Sequence, residues 1–202
     1  GGTYAMPAAE FAATLSSLHR RFENAPMPIA ALPGNHDSLP GTGSMDIFCQ
    51  IWGTAPGIGL TIDVPEARLV LLNSQGHPAS VLAAAPDGDP VFGWVNDAEL
   101  ARLDTALATA GSRPVLLFSH QLLHPWSGDA AWQDFYGIVN AGAVLEIVRR
   151  HGNTCAVFQG HAHRLDIQQV ALRPDRTTLF AVVPPIIEYP VAWMRLELSG
   201  PT

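Results

Sequence analysis

Apolar positions recur along this chain in two periods, and together they set out alternating helices and strands. Pro7 opens a helical pattern with Phe11, Leu15, Leu18 and Phe22 on one face and Arg20, Arg21 and Glu23 nearer the other. A short apolar run at 28–32, halted by Pro33-Gly34, reads as a buried strand feeding a loop. Residues 44–52 fit one or two helical turns. Ile58, Leu60 and Ile62 alternate with Gly59, Thr61 and Asp63, and 68–73 follows after a Val-Pro-Glu-Ala turn, which predicts an antiparallel hairpin. Gly, Pro and Ala dominate 74–95, read here as a long surface loop.

Asn96 with Glu99 three residues on has the form of a capping box, and Leu100, Leu103 and Leu107 give the helix behind it an apolar stripe. The run 114–119 is a second buried strand, ending at His120. Asn140 stands where it can cap a helix that closes at Gly152 after His151. Residues 154–158 form a third buried strand, ending at Gln159-Gly160-His161. Three further runs, 165–172, 177–183 and 191–198, read as strands, with Pro184-Pro185 separating the last two. Strand–helix alternation comes first and antiparallel strands last, the order of a single α/β domain over 1–202 without internal repeats.

Composition narrows the chemistry. The 202 residues are 48% hydrophobic and 14% charged, with a net charge of −7. That excludes a disordered segment, and no apolar run is long enough to span a membrane. The acidity disfavours a surface that grips nucleic acid through its phosphates. All 11 basic residues are Arg, so Schiff-base and phosphate-loop lysines are excluded. Cys49 and Cys155 stand far apart and read as small buried residues rather than a disulfide. The chain opens Gly1-Gly2-Thr3-Tyr4 without Met, which leaves its compartment open.

Three buried strands end in histidine-bearing loops: Gly34-Asn35-His36-Asp37, Ser119-His120 and Gly160-His161-Ala162-His163. Loops at strand ends converge over a rigid sheet edge, and imidazole with amide oxygen suits Zn, Mn or Fe. One His beside a strand is more often a hydrogen-bonded loop residue; three such loops in succession point to a metal site. In an extended loop His161 and His163 would point the same way, each within reach of its own ion.

In sequence and order these motifs resemble the last three of the five motifs of the calcineurin-like metallophosphoesterases. The surrounding hairpin and strand–helix–strand extend the likeness over nearly the whole chain. The resemblance implies an α/β fold, a two-sheet sandwich with helices on its outer faces, and hydrolysis of a small phosphodiester, pyrophosphate or phosphomonoester by a hydroxide bridging two divalent ions (Mn, Fe or Zn). It assigns Asn35, His120 and His161 to one ion and His163 to the other. His36 would sit beside the scissile phosphate, and Asp37 would orient it. The segment from His120 to His163, with Pro125-Trp126 and Asn140, is similar to the branch of cyclic-nucleotide phosphodiesterases and ADP-ribose/CDP-alcohol diphosphatases. Protein phosphatases of the family carry Glu, not Asp, after Asn-His.

The family's first two motifs, Asp-x-His and Gly-Asp-x-x-Asp, precede the Asn-His-Asp loop, whereas the 34 residues ahead of Asn35 hold no Asp. The expectation is therefore a chain starting after those motifs, lacking the first strands and their ligands, with an incomplete two-metal site. His124 is a candidate for the substrate pocket, and Trp126, Trp132 and Tyr136 for stacking on a ring. His19 reads as part of a solvated helix face, His151 as a response to a helix dipole, and His77 has no assignment. The competing expectation is a non-catalytic scaffold of the same fold that binds a partner protein. The retention of Asn35, His36, Asp37, His120, His161 and His163 together argues for the enzyme, because a scaffold needs shape rather than ligands.

Overall fold

Four apolar segments, β2 (Arg68–Leu72), β3 (Val115–Ser119), β4 (Thr154–Gln159) and β6 (Arg176–Val182), lie side by side and parallel. Two flanking strands, β1 (Leu60–Asp63) and β5 (Asp166–Arg173), pair antiparallel with β2 and β6, giving the order β1-β2-β3-β4-β6-β5. These elements come from a computed structural model that describes residues 6–85, 90–128, 133–186 and 191–198.

Alternation along each strand sorts side chains onto two faces. Val70, Leu72, Val115, Leu117, Val157 and Phe180 face one way and are covered by α4 (Asp97–Ala108) and α6 (Ala141–His151) through Leu103, Leu107, Val144, Ile147 and Val148. Full burial of such a side chain stabilises by about 1.5–3 kcal/mol, so this layer is the main store of folding energy. Leu116, Ala156, Phe158 and Ala181 line the other face, with Leu69, Phe118 and Val183 against them. That face borders a groove of about 820 Å³, whose far end is reached by His120 and Gly160. A separate pair, α1 (Ala8–Phe22) and α2 (Asp46–Trp52), packs through Phe11, Leu15, Phe48 and Cys49.

Several expectations change. The segment 28–32 is not a strand; Pro28, Ile29 and Ala30 are exposed along the groove. Apolar residues there line a surface and pair with no strand among the described residues. The segment 191–198 likewise joins no strand; its Met194 packs against the face lined by Leu116, Ala156, Phe158 and Ala181. The described residues form one six-stranded sheet, where the resemblance implied two. On α1 only Phe11 and Leu15 are buried, while Leu18 is 45% exposed, because α2 covers only part of the stripe. Residues 74–95 are not a plain loop: they contain α3 (Ala79–Ala84) and a bridge between Gln75 and Trp94, and Ser74 and Gln75 are buried.

The capping box at α4 is half formed. Asn96 accepts the Glu99 amide at 2.8 Å, but the Glu99 carboxylate is fully buried. It accepts the amides of Gly59 and Asn73 at 3.0 and 2.9 Å and pairs with Arg102 at 2.7 Å, tying the hairpin to the helix. Asn140 does not cap α6 with its side chain; it bonds both backbone groups of Val95. Cys49 is buried as expected, Cys155 is exposed, and both are free thiols.

Candidate metal centre

Parallel pairing of β3 with β4 brings Ser119 level with Gln159, so the loops that follow leave the sheet together. The Gly160 amide donates to the His120 carbonyl at 2.9 Å and fixes their relation. His120 Nε2 then lies 3.1 Å from His161 Nδ1 and 3.2 Å from Asn35 Oδ1. Asn35 is 1% exposed, in a 3₁₀ turn (Asn35–Asp37) closed by the Gly34 amide donating to Asp37 Oδ2 at 2.9 Å. Gly34 is required by the His120 ring: a Cβ at position 34 would stand 2.7 Å from its Nε2.

One proton on His120 Nε2 cannot make two good linear bonds, so at least one of these close contacts is poorly satisfied. The Asn35 Nδ2 is buried with no partner, and the His161 Nε2 lies buried beside the Val91 backbone without a well-formed bond. A divalent ion with metal–ligand bonds of about 2.1 Å holds neighbouring ligand atoms about 3.0 Å apart in octahedral geometry and about 3.4 Å in tetrahedral. The two observed contacts fall between those values, so the donor set fits a metal ion. Among the described residues no three His, Cys, Asp or Glu side chains form a metal-binding group, so the trio depends on the Asn35 amide.

Electrostatics keeps the imidazoles neutral, the form that ligates. Burial, then the neighbouring His161, His36 and His163, pulls the pKa of His120 down to about 3. His161 falls to about 4, again from burial first and then from His163 and His36, with the Val91 backbone acting the other way. Burial pushes the Asp37 carboxyl up, opposed by the Gly34 amide and the charge of His36. Backbone strain is concentrated here too. His161 and His163 have φ of 63° and 51°, the only non-glycine residues in the left-handed region among those described. The loop is therefore not extended as expected, and each such residue costs about 1–3 kcal/mol that the surroundings must hold.

His36, His163, Asn35, His120 and His161 line one pocket of about 280 Å³, together with Val91, Ala162 and, from α5 (Gln133–Tyr136), Phe135 and Tyr136. His124 is not among its lining residues. Its ring packs 5.0 Å from Phe180, because buried Gln159 clamps the loop: Gln159 Oε1 accepts the amides of Leu123 and His124, and its Nε2 donates to the His124 carbonyl at 2.6 Å. Tyr136 stands edge-on to His161 at 5.2 Å and Trp126 edge-on to Tyr136 at 5.6 Å, whereas Trp132 lies outside the described residues. His19 meets Trp52 edge-on at 4.7 Å, His151 contacts Asp104, and His77 bonds the Phe92 carbonyl at 2.8 Å, and none of the three lines the pocket. Sequence reasoning missed Gln159, Val91 and Phe135. Phe135 had a signal in its place beside Trp132 and Tyr136; Val91 had none.

No protein-family model matches the chain. It is 27% identical over 146 residues to the glycerophosphodiester phosphodiesterase GpdQ of Enterobacter lignolyticus, covering 70% of this chain and 47% of that one. It is 31% identical over 139 residues to a probable cyclic nucleotide phosphodiesterase of Rhodopseudomonas palustris, covering 68% and 46%. It is 29% identical over 164 residues to the 3',5'-cyclic adenosine monophosphate phosphodiesterase CpdA of Pseudomonas aeruginosa, covering 77% and 52%. The chain thus spans about half the length of the curated relatives it matches. Its fold is that of a dimetal phosphatase from Danio rerio, with a TM-score of 0.63 at 17% identity over 89% of this chain and 68% of that one. The motif order, the placement of the histidines on a parallel sheet and these likenesses agree with the calcineurin-like metallophosphoesterase family that the motifs resemble.

Proposed function

We propose that this chain carries the catalytic centre of a metal-dependent phosphoesterase acting on a small phosphorylated substrate, a phosphodiester or a pyrophosphate. The observation that carries the reading is the meeting of Asn35 Oδ1, His120 Nε2 and His161 Nδ1 within 3.1–3.2 Å contacts. These three would hold one divalent ion, and His163, on the same pocket wall, would serve a second. Divalent ions supply charge neutralisation for the phosphoryl oxygens and make water acidic enough to attack at neutral pH.

The chain's own groups account for the rest. His36 lines the pocket beside the donor cluster, and its imidazole would protonate the departing ester oxygen or stabilise charge on the phosphate. Asp37 holds the turn that presents Asn35 and His36 by accepting the Gly34 amide. The strained His161–His163 loop keeps both rings directed by backbone rather than by side-chain freedom. The relatives' names, two cyclic nucleotide phosphodiesterases and a glycerophosphodiester phosphodiesterase, support a diester substrate.

Calorimetric titration with Mn²⁺ or Zn²⁺ tests this, alongside hydrolysis of bis(p-nitrophenyl) phosphate. The wild-type chain should bind the ion, and Asn35→Ala, His120→Ala and His161→Ala should each weaken binding at least about tenfold. Binding that all three variants retain would overturn the assignment, and a folded chain with no affinity for either ion would instead be a scaffold.

A further inference from the structure

The pocket that holds the donor cluster has a second character, aromatic rather than polar. Phe135 lines it with its side chain 52% exposed, at the end of a row of rings. Phe135 and Tyr136 meet edge-on at 5.2 Å; Tyr136 meets His161 at 5.2 Å and Trp126 at 5.6 Å; the Arg164 guanidinium covers Trp126 at 4.6 Å. Tyr136 is thereby held against two further rings, one of them in the donor cluster, and Phe135 is the member of the row left open to solvent. Leaving an aromatic ring half in water, next to a cluster of metal-ligand type, forgoes burial that the fold uses elsewhere. Val91 and Ala162 add apolar lining, and among the described residues no carboxylate lines the pocket. At about 280 Å³ it is large enough for a phosphate and one flat ring.

We infer that Phe135, backed by Tyr136, forms a stacking subsite for a planar ring carried by the substrate, so that the preferred phosphoesters are nucleoside or aryl esters rather than glycerol esters. The inference rests on the phosphoesterase reading and narrows its substrate class. A ring stacked on Phe135 gains contact area without any directional demand, so the subsite selects for flatness and not for one base.

Adenosine 5'-monophosphate and ribose 5-phosphate share the same phosphate and sugar and differ only in the base, and they separate the two readings. Their affinities for the Mn²⁺-loaded chain are to be measured by calorimetry or by ligand-observed NMR, for wild type, Phe135→Ala and Phe135→Trp. Wild type should favour the nucleotide about tenfold. Phe135→Ala should abolish that preference while leaving ribose 5-phosphate binding unchanged, and Phe135→Trp should restore it. Because Phe135 is half exposed, its truncation should not disturb folding, and thermal melting checks this. Equal affinity of wild type for both ligands overturns the stacking subsite but leaves the phosphoesterase reading standing. Loss of affinity for both ligands in Phe135→Ala also overturns it, since Phe135 would then shape the phosphate site. Failure of wild type to bind either ligand also overturns the stacking subsite, while the Mn²⁺ titration separately decides the phosphoesterase reading.

Discussion

Replacing Gly34 by Ala probes whether the donor cluster depends on close approach of backbone to the His120 ring. Gly34 has φ −104° and ψ −180°, extended backbone that any residue adopts, so the added methyl brings no backbone strain. It does bring a collision: the new Cβ would lie 2.7 Å from His120 Cε1 and Nε2 and 2.8 Å from Cδ2. Contacts between such atoms are comfortable at about 3.5 Å, so the ring must retreat by about 0.8 Å. Retreat is opposed because the same nitrogen contacts Asn35 at 3.2 Å and His161 at 3.1 Å. Overpacking of this size costs about 1–3 kcal/mol, which for a chain of this length lowers the melting temperature by about 2–12 °C. The displaced nitrogen should weaken divalent-ion binding at least about tenfold. The assay is urea denaturation of a four-protein cycle: wild type, Gly34→Ala, His120→Ala and the double variant. With the ring gone the methyl has room, and Gly34→Ala should then cost less than about 0.5 kcal/mol. An equal cost in both backgrounds would refute the collision with His120 as the cause.

Three other outcomes follow from the same structure. His120 and His161 titrate near 3 and 4 in the folded chain against about 6.5 unfolded, so the unfolded state binds more protons between those limits. Metal-free protein should therefore lose stability as the pH falls from 6.5 towards 4, and His161→Gln should flatten that slope; an unchanged slope in denaturation curves across pH contradicts the burial argument. Glu99→Ala should cost about 3–5 kcal/mol in urea, because it strands the Gly59 and Asn73 amides and the Arg102 charge, and a cost below about 1 kcal/mol would show the network to be dispensable. In a longer chain that also carries Asp-x-His and Gly-Asp-x-x-Asp motifs, His36→Ala should keep metal content, read by elemental analysis, yet slow hydrolysis of an alkyl phosphodiester by about 10²–10⁴-fold and of an activated aryl ester by less, whereas His161→Ala should lose metal and activity together; equal metal loss in both would make His36 a ligand.

Local sequence carried most of the strand and helix layout. The alternation at 58–63, with the apolar run at 68–73 behind its turn, marked the β1–β2 hairpin, and the apolar runs ending at Ser119 and Gln159 marked β3 and β4, because a short apolar run bounded by turn residues reads as a buried strand without knowledge of its partners. The motifs Gly34-Asn35-His36-Asp37 and Gly160-His161-Ala162-His163 marked the site for the same reason, being contiguous in sequence. Where a residue's environment is set by segments far away in the chain, the sequence was silent or misleading. The run at 28–32 has the composition of a strand but pairs with no strand among the described residues, and lies along the groove. Glu99 carries the spacing of a capping box, yet the hairpin presents two amides and α4 presents Arg102, which offer its carboxylate more than the helix end does. His124 follows the same strand as His120, but Gln159, from the neighbouring strand, fixes its loop with the ring against Phe180. The 3.1–3.2 Å contacts among Asn35, His120 and His161 belong to the same class: the residues were named by the sequence, and parallel pairing of β3 with β4, the Gly160 bond and the room left by Gly34 brought their atoms together. Such distances are set by the packing of segments remote in sequence, a property of the folded chain that no local pattern encodes.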